Sequence, residues 1–344
     1  MKKQSKLLAL LLACAMTLAL SACGGSSATT STPASSAAPS ASSSAAATGD
    51  KTYTIGICQL VQHNALDAAT KGFKDALTEK LGDKVKFDEQ NAAGDSATCA
   101  TICNQFVSSK VDLIMANATP ALQAATAATN SIPILGTSVT DYGTALSIAD
   151  WKGTTGTNVT GTADLAPLDK QAEMIKTLFP DKKNVGILYC SAEPNSKYQS
   201  TEITKYLTDA GYTCKEYTFA DSNDVAAVTK TACDESDVLY VPTDNTAASC
   251  AESINNIAEP AKVPIVAGEA GICTGCGVAT LSIDYYDLGV VTGNMAYEVL
   301  VNGADPATTE IQFAPKTTYQ YVPDRCKKLG VKVPSDYVAI EAEK

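Results

Sequence analysis

Histidine, basic charge and long apolar runs are scarce in this chain, and each shortage removes a class of function. His63 is the only histidine. A two-histidine metal site is therefore impossible, and a Ser-His-Asp triad would have to use that one ring. No G-x-S-x-G elbow is present to raise a serine nucleophile. Neither a G-x-G-x-x-G turn after the first strand nor a Walker-A loop occurs, so dinucleotide and triphosphate sites lack support. Lys and Arg number 26 against 37 Asp and Glu, a formal net charge of −11. Nucleic acid is not an expected partner, because its binding needs clustered Lys and Arg to release counterions. After residue 20 no apolar run reaches the ~18–20 residues that span a bilayer. Catalysis is not expected, and neither a cofactor nor a metal is implied.

What is present begins at the first residue. Lys2, Lys3 and Lys6 precede an uncharged apolar run from Leu7 to Leu20, and Leu20-Ser21-Ala22-Cys23 follows. A basic start, a short apolar core and small residues at the cut make a signal peptide over residues 1–22. Leu-Ser-Ala-Cys matches the bacterial lipobox, in which the cysteine is acylated and becomes the new first residue. An ordinary secretory signal followed by a chance cysteine is the alternative. Residues 24–49 are Gly, Ser, Ala, Thr and Pro with no charge and no aromatic residue. Such a segment cannot offset its ordering entropy by burial, so residues 23–50 read as a lipidated Cys23 and a flexible tether. The expected location is the extracytoplasmic face of the cell membrane, held by lipid.

Ten further cysteines are scattered from Cys58 to Cys326. An even count in an exported chain invites disulfides. Several nevertheless sit in apolar segments, as in Ile55-Gly56-Ile57-Cys58, where a free thiol behaves as a small hydrophobe. The close pairs Cys99/Cys103 and Cys273/Cys276 leave three readings open: plain thiols, a loop disulfide at Cys273–Cys276, or a four-thiolate zinc site if the pairs meet in space.

The body alternates strands and helices. Strands are expected at Thr52–Gln59, Val85–Asn91, Val111–Ala116 and Pro133–Gly136, with helices at Leu66–Leu81, Ser96–Ser108 and Pro120–Thr129. The pattern restarts with helices at Asp169–Leu178, Ser196–Ala210, Asp224–Cys233 and Thr246–Glu259. Strands at Asn184–Tyr189, Thr213–Thr218, Val238–Val241 and Ile265–Ala267 interleave with them. Trp151–Gly161, rich in Gly and Thr, reads as a crossover in which Trp151 packs near the hinge. A last helix covers Leu288–Leu300, and Ile311–Phe313 returns as a strand. This is an α/β chain with two doubly wound parallel-sheet lobes joined by a hinge. One lobe is assigned residues 51–160 plus about 288–310, the other 161–287 plus about 311–344.

Polar clusters recur where the chain leaves a strand, the ligand-facing edge of such a sheet. They are Gln59 to Asn64, Asn117 to Pro120, Thr140-Asp141-Tyr142, Ser191 to Ser196, Thr243-Asp244-Asn245 and Gly268-Glu269. Helix capping accounts for single residues among them, such as Thr119 before Pro120. It does not account for acids and amides at the same edge of both lobes.

At these residues the sequence resembles the substrate-binding lipoproteins of ABC importers of the tryptophan/tyrosine type. The resemblance runs in order through Ile55-Gly56-Ile57, Lys71-Gly72-Phe73, Val111-Asp112-Leu113-Ile114 and Ala118-Thr119-Pro120-Ala121. It continues through Thr140-Asp141, Asn158-Val159-Thr160-Gly161, Glu193-Pro194-Asn195-Ser196, Val241-Pro242-Thr243-Asp244-Asn245-Thr246 and Ile283-Asp284-Tyr285-Tyr286. Tyr142, Pro194 and the segment Gly271–Gly277 depart from the pattern.

The resemblance implies a type I periplasmic-binding fold that hands a small solute, often an aromatic amino acid, to a membrane permease. Candidate ligand residues carried over are Gln59, His63, Thr119, Asp141, Glu193, Asn195, Ser196, Asp244 and Asn245, with Tyr142 as an aromatic wall. The ammonium of an amino acid would need Asp141, Glu193 or Asp244, and its carboxylate would need hydroxyl, amide or helix N-terminal donors. A sugar or nucleoside receptor, and a lipid-anchored sensor for a membrane signalling protein, are the alternatives. The working form is expected to be a monomer.

Overall fold

The computed structural model describes residues 51–340. The expected signal peptide, Cys23 and the tether lie outside the described residues. The first lobe opens with β1 (Tyr53–Gln59), α1 (Asn64–Leu81), β2 (Val85–Asn91), α2 (Ser96–Ser109), β3 (Leu113–Asn117) and α3 (Thr119–Ala128). It continues with β4 (Ile134–Val139), α4 (Tyr142–Leu146) and β5 (Val159–Ala163). The chain then crosses over and builds α5 (Leu168–Leu178), β6 (Asn184–Cys190), α6 (Pro194–Asp209), β7 (Thr213–Phe219), α7 (Val225–Glu235) and β8 (Val238–Val241). The second lobe goes on through α8 (Asn245–Ser249), α9 (Ala251–Ala261), β9 (Ile265–Ala267), α10 (Ala270–Cys276) and β10 (Ala279–Ile283). Helix α11 (Tyr285–Asn302) and β11 (Gln312–Phe313) return to the first lobe. Finally β12 (Thr317–Tyr321), α12 (Pro323–Leu329) and β13 (Val338–Ala339) complete the second.

Two sheets result, ordered β11-β5-β4-β3-β1-β2 and β13-β12-β10-β9-β8-β6-β7. Every pairing is parallel except β10 with β12. Helices cover both faces, so the central strands are apolar throughout; all of β3 and β8 is buried. In the first lobe Ile55, Ile57, Leu113 and Met115 pack toward α1 and α11, while Cys58, Ile114 and Ala116 face α2 and α3. Helix α1 buries Leu66, Ala69, Phe73, Ala76 and Leu77, a stripe at helical spacing. Its partner α11 comes within backbone contact, for a Cβ on Gly72 would lie 2.1 Å from the Tyr286 carbonyl oxygen. That crossing ties the last third of the chain to the first helix.

Three expectations are corrected. Trp151–Gly161 is not solely a crossover, because Val159–Ala163 forms β5 inside the first sheet, with all five residues buried. Its glycine is a packing requirement: a Cβ on Gly161 would lie 2.0 Å from the Gly136 carbonyl oxygen, and its φ is +144°. The expected return to the second lobe at about residue 311 is also too early. Gln312–Phe313 pairs with Thr162–Ala163, so the last crossing precedes Thr317. Thr246–Glu259 is not one helix but two, with Cys250 between α8 and α9.

Parallel order places the carboxyl ends of β1, β3, β4 and β5 opposite those of β6, β8, β9 and β10. Contacts between the two sets of loops define the cleft.

Candidate functional site

On the second-lobe edge, Pro194 occupies the first turn of α6, where its missing N–H costs nothing. Glu193 just before it does not cap its own helix. It reaches to the start of α8 and accepts five hydrogen bonds there and nearby. Oε1 takes the Thr246 N–H and hydroxyl, each at 2.8 Å. Oε2 takes the Asn245 N–H at 3.0 Å, Asn245 Nδ2 at 2.7 Å and Asn195 Nδ2 at 3.2 Å. Asp244 caps α8 through Ala247 N–H at 2.7 Å and also accepts from Cys190 N–H and Ser196 Oγ, both at 2.7 Å. Burial, and then the neighbouring Glu193 carboxylate, push Asp244 up to about 8. Glu193, Asn195, Ser196, Asp244 and Asn245 thus form one buried network.

On the first-lobe edge the candidates do not form one cluster. Gln59 braces β1 against α1: Nε2 donates to Asp67 at 2.6 Å and to the Val61 carbonyl at 3.0 Å, while Oε1 accepts from Thr70 at 2.6 Å. Thr119 is buried at the start of α3. Asp141 caps α4 through the Thr144 N–H at 2.6 Å. Tyr142 is corrected outright, since it is fully buried in the first-lobe core and cannot be a wall of the cleft. Its hydroxyl donates to the Thr162 carbonyl at 3.1 Å over Gly136 and Gly161, and its ring stacks on Trp151 at 6.4 Å. Trp151 therefore packs against the first-lobe core.

The lobes touch at named atoms. His63 Nε2 lies 3.3 Å from Asn245 Oδ1, and burial lowers the pKa of its ring below the ordinary histidine value. The sequence patterns did not single out Asp164 or Tyr285. Asp164 ends β5 and accepts from Thr140 Oγ1 at 3.0 Å and from Tyr285 Oη at 2.9 Å. Burial raises its pKa. Glu269 caps α10 and is pushed up to about 7 by burial. Gly268-Glu269 did stand out as a strand-end pair, but Asp164 was hidden by the misplaced crossover.

Buried polar atoms at these strand ends with no hydrogen-bond partner in the protein include His63 Nδ1, Asn117 Oδ1, Ser138 Oγ and Asn195 Oδ1. The buried polar side chains include acids, amides and hydroxyls, but no Lys or Arg among the described residues. Arg325, the only arginine in the sequence, is spent on the carbonyls of Cys273, Thr274, Gly275 and Gly277 at the end of α10. A groove of 240 Å³ runs between the lobes, with Leu60, Gly94 and Pro120 on one side and Glu193, Asn245 and Thr246 on the other. Ser196 is bonded to a carboxylate rather than to an imidazole, so no nucleophile-base pair is assembled here. The cysteine pairs do not meet: Cys99 and Cys103 lie in the first-lobe core, Cys273 and Cys276 in the second. All ten cysteines of the body are free thiols.

Comparison with known proteins agrees with this geometry. The family model for ABC transporter substrate binding proteins matches residues 54–344. A tyrosine-binding protein from Clostridioides difficile is 41% identical over 265 residues, 75% of this chain and 76% of that one. The structure of a domain from Streptococcus pneumoniae in complex with L-Trp is similar with a TM-score of 0.81 at 33% identity, covering 84% of this chain and 100% of that one. A ligand-free, open substrate binding protein with adhesive properties from Clostridium difficile is 36% identical. It covers 85% of this chain and 100% of its own, with a TM-score of 0.65. The chain belongs to the ABC transporter substrate-binding protein family, whose members bind an extracytoplasmic solute rather than transform it.

Proposed function

We propose that this protein captures an aromatic amino acid between its lobes and hands it to an ABC permease while tethered by a lipid on Cys23. The observation that carries the ligand class is the polarity of the cleft. Carboxylates come to it from both lobes, and among the described residues no buried Lys or Arg competes for them. A ligand with an ammonium group fits such a field, and the zwitterion of an amino acid keeps the total charge near neutral. The tyrosine-binding relative and the L-Trp complex favour an aromatic side chain.

On this reading the free Oδ1 of Asn195 receives the ammonium, in the field of Glu193 and Asp244. Ser196 and Asn245 hold those acceptors in place, and Asp141 faces the second lobe, where Tyr198 feels its charge. Thr119 offers a donor, Gln59 stiffens the first-lobe edge, and His63 latches the lobes. With Tyr142 in the core, Tyr198 on α6 is a candidate ring wall. Closure would follow from the higher affinity of the closed form for the ligand. The lipid and a tether of about 25 residues, spanning roughly 25–30 Å by coil statistics, suit a monomeric receptor that docks on a permease and leaves it.

A thermal-shift series on the purified protein tests the ligand class. L-tyrosine or L-tryptophan should raise the melting temperature in a concentration-dependent way. A shift with a sugar or nucleoside and none with either amino acid would overturn the proposal.

A further inference from the structure

Free thiols are unusual outside the cytoplasm, where disulfides form and persist, and three of those in this chain meet in the first-lobe core. Gly56 and Cys58 lie on one face of β1, two residues apart. On α2, Cys99, Cys103 and Phe106 recur at helical spacing, and all three are fully buried, as is Cys58. The Phe106 ring fixes the register, for a Cβ on Gly56 would lie 2.5 Å from its Cγ. Helix α2 is the crossover between β2 and β3, which both pair parallel to β1, so it runs back along the sheet. Two residues of a strand cover about 6.6 Å, the rise of about four residues of a helix. Counted back from Phe106, Cys58 therefore stands opposite the turn between Cys99 and Cys103.

That register brings the three sulfurs together. Hydrogen bonding with the thiol of Cys103, then with that of Cys99, and burial after them hold the Cys58 thiol well above the ordinary thiol pKa. The same contact with Cys58 lowers that of Cys99. Cys99 and Cys103 cannot bridge one another, because Cβ atoms one turn apart on a helix are about 5–6 Å apart. A disulfide takes about 3.5–4.5 Å. Cys58 comes from another element and faces both, so it is the member of the cluster that can join either. Among the described residues no group of three or more His, Cys, Asp or Glu side chains is arranged to hold a metal ion, these thiols included. The chemistry open to the cluster is therefore covalent.

We infer that Cys58 is a disulfide site, pairing with either Cys99 or Cys103 to staple β1 to α2 and leaving the third cysteine as a thiol. The structure holds the reduced form. The oxidant is a disulfide, small or protein-borne. The Cys99 thiolate attacks one sulfur of that disulfide and expels the other as a thiolate; the Cys58 thiolate then attacks the Cys99 sulfur and expels the second. One S–S bond forms as another breaks, two electrons pass to the oxidant, and the two thiol protons go to the departing thiolates. Full burial shields the finished cluster, so the bond forms while the lobe is folding. The staple closes a loop of about 40 residues, long enough to restrict the unfolded chain strongly. Both its ends run into the groove between the lobes, since Leu60 and Val61 follow Cys58, and Gly94, Asp95 and Ser96 precede Cys99. Gly94 N–H donates to the Leu60 carbonyl at 2.8 Å, so the link secures a groove wall that is already joined at its rim.

Refolding the reduced, unfolded protein in a buffer of reduced and oxidised glutathione tests the assignment, followed by alkylation in denaturant and peptide mapping by mass spectrometry. The map should show Cys58 joined to Cys99 or Cys103. The refolded protein should melt about 5–10 °C above the same sample treated with dithiothreitol while unfolded. Cys99→Ala and Cys103→Ala should each keep the link through the remaining partner, and the double variant should lose it. Cys58→Ala should lose the link, and with it the part of the melting difference that the link supplies. The map of the unchanged protein decides the matter even if a variant fails to fold. Cys58 recovered fully alkylated, or joined to a cysteine outside α2, would overturn the assignment. Loss of the link in one single variant but not the other would overturn the interchange of partners.

Discussion

The two edges of the cleft are built on opposite principles. The second-lobe edge is nearly complete in its hydrogen bonds, with Asn195 Oδ1 left open: Glu193 accepts five and Asp244 three, from backbone and side chains that also start α8. The first-lobe edge is strained and incomplete, with Ala118 and Ser138 at positive φ, α3 uncapped and a hydroxyl unpaired. Acceptors are fixed in advance on one side, and donors are held open on the other. A zwitterion presents those two demands at its two ends. The difference also separates stability from binding, since removing a satisfied acceptor strands its donors, whereas removing an open donor strands nothing.

Substitutions on the two sides should therefore differ in kind. Glu193→Ala should have the largest effect, a loss of about 3 kcal/mol or more in urea unfolding together with loss of ligand binding, because five donors, three of them fully buried, lose their acceptor. A loss no larger than that of Ser138→Gly would erase the contrast between the edges.

The pH response comes next in size. Asp244 stands near 8 in the folded protein against about 3.9 in an unfolded chain. Between those values the folded state keeps a proton that the unfolded state has released, so this group makes stability fall as pH rises through the window. Glu269, pushed up to about 7, adds a slope of the same sign. Exposed acids whose pKa is lowered, such as Glu259 beside Lys328, slope the other way but are common to both proteins. Asp244→Asn should therefore lose less stability than the unchanged protein between about pH 5 and about pH 8. Parallel melting curves for the two would contradict the assignment of the slope to Asp244.

Smaller effects sharpen the picture. Tyr142→Phe should cost about 1 kcal/mol for the lost bond to Thr162 and leave the Kd for L-tyrosine unchanged, since Tyr142 is core. The single tryptophan stacked on it gives a fluorescence readout of that region. A marked fall in affinity would return Tyr142 to the cleft wall. His63→Ala, which removes one contact across the lobes, should speed ligand release only a few-fold in stopped flow and leave the unfolding free energy within about 1 kcal/mol.

Much of this architecture was legible because apolar strands and amphipathic helices alternate with little ambiguity. Val85–Asn91 and Val238–Val241 have the same bounds in sequence and structure. The second-lobe edge was legible too, since Glu193-Pro194-Asn195-Ser196 and Asp244-Asn245 are sequence-local clusters that converge. What failed was local composition overruled by packing. Gly161 and Thr160 looked like linker, yet Gly161 makes room for the backbone of β4 and the hydroxyl of Tyr142. Gly136 and Gly161 inside strands were the available signal that a large ring sits over the sheet. A loop disulfide was one reading of Cys273 and Cys276, yet Ala270–Cys276 forms α10, and Gly275 is there because a Cβ would lie 2.4 Å from that of Ala251. Ser138 could not have been found by pattern, because only its backbone angle and its missing partner distinguish it from the other strand hydroxyls.

The most direct test of the account is a crystal structure of the protein with L-tyrosine bound. The account predicts the ligand between the lobes, with its ammonium facing Glu193, Asp244 and Asn195. A ligand bound outside the cleft, or with its ammonium turned away from those residues, would contradict it.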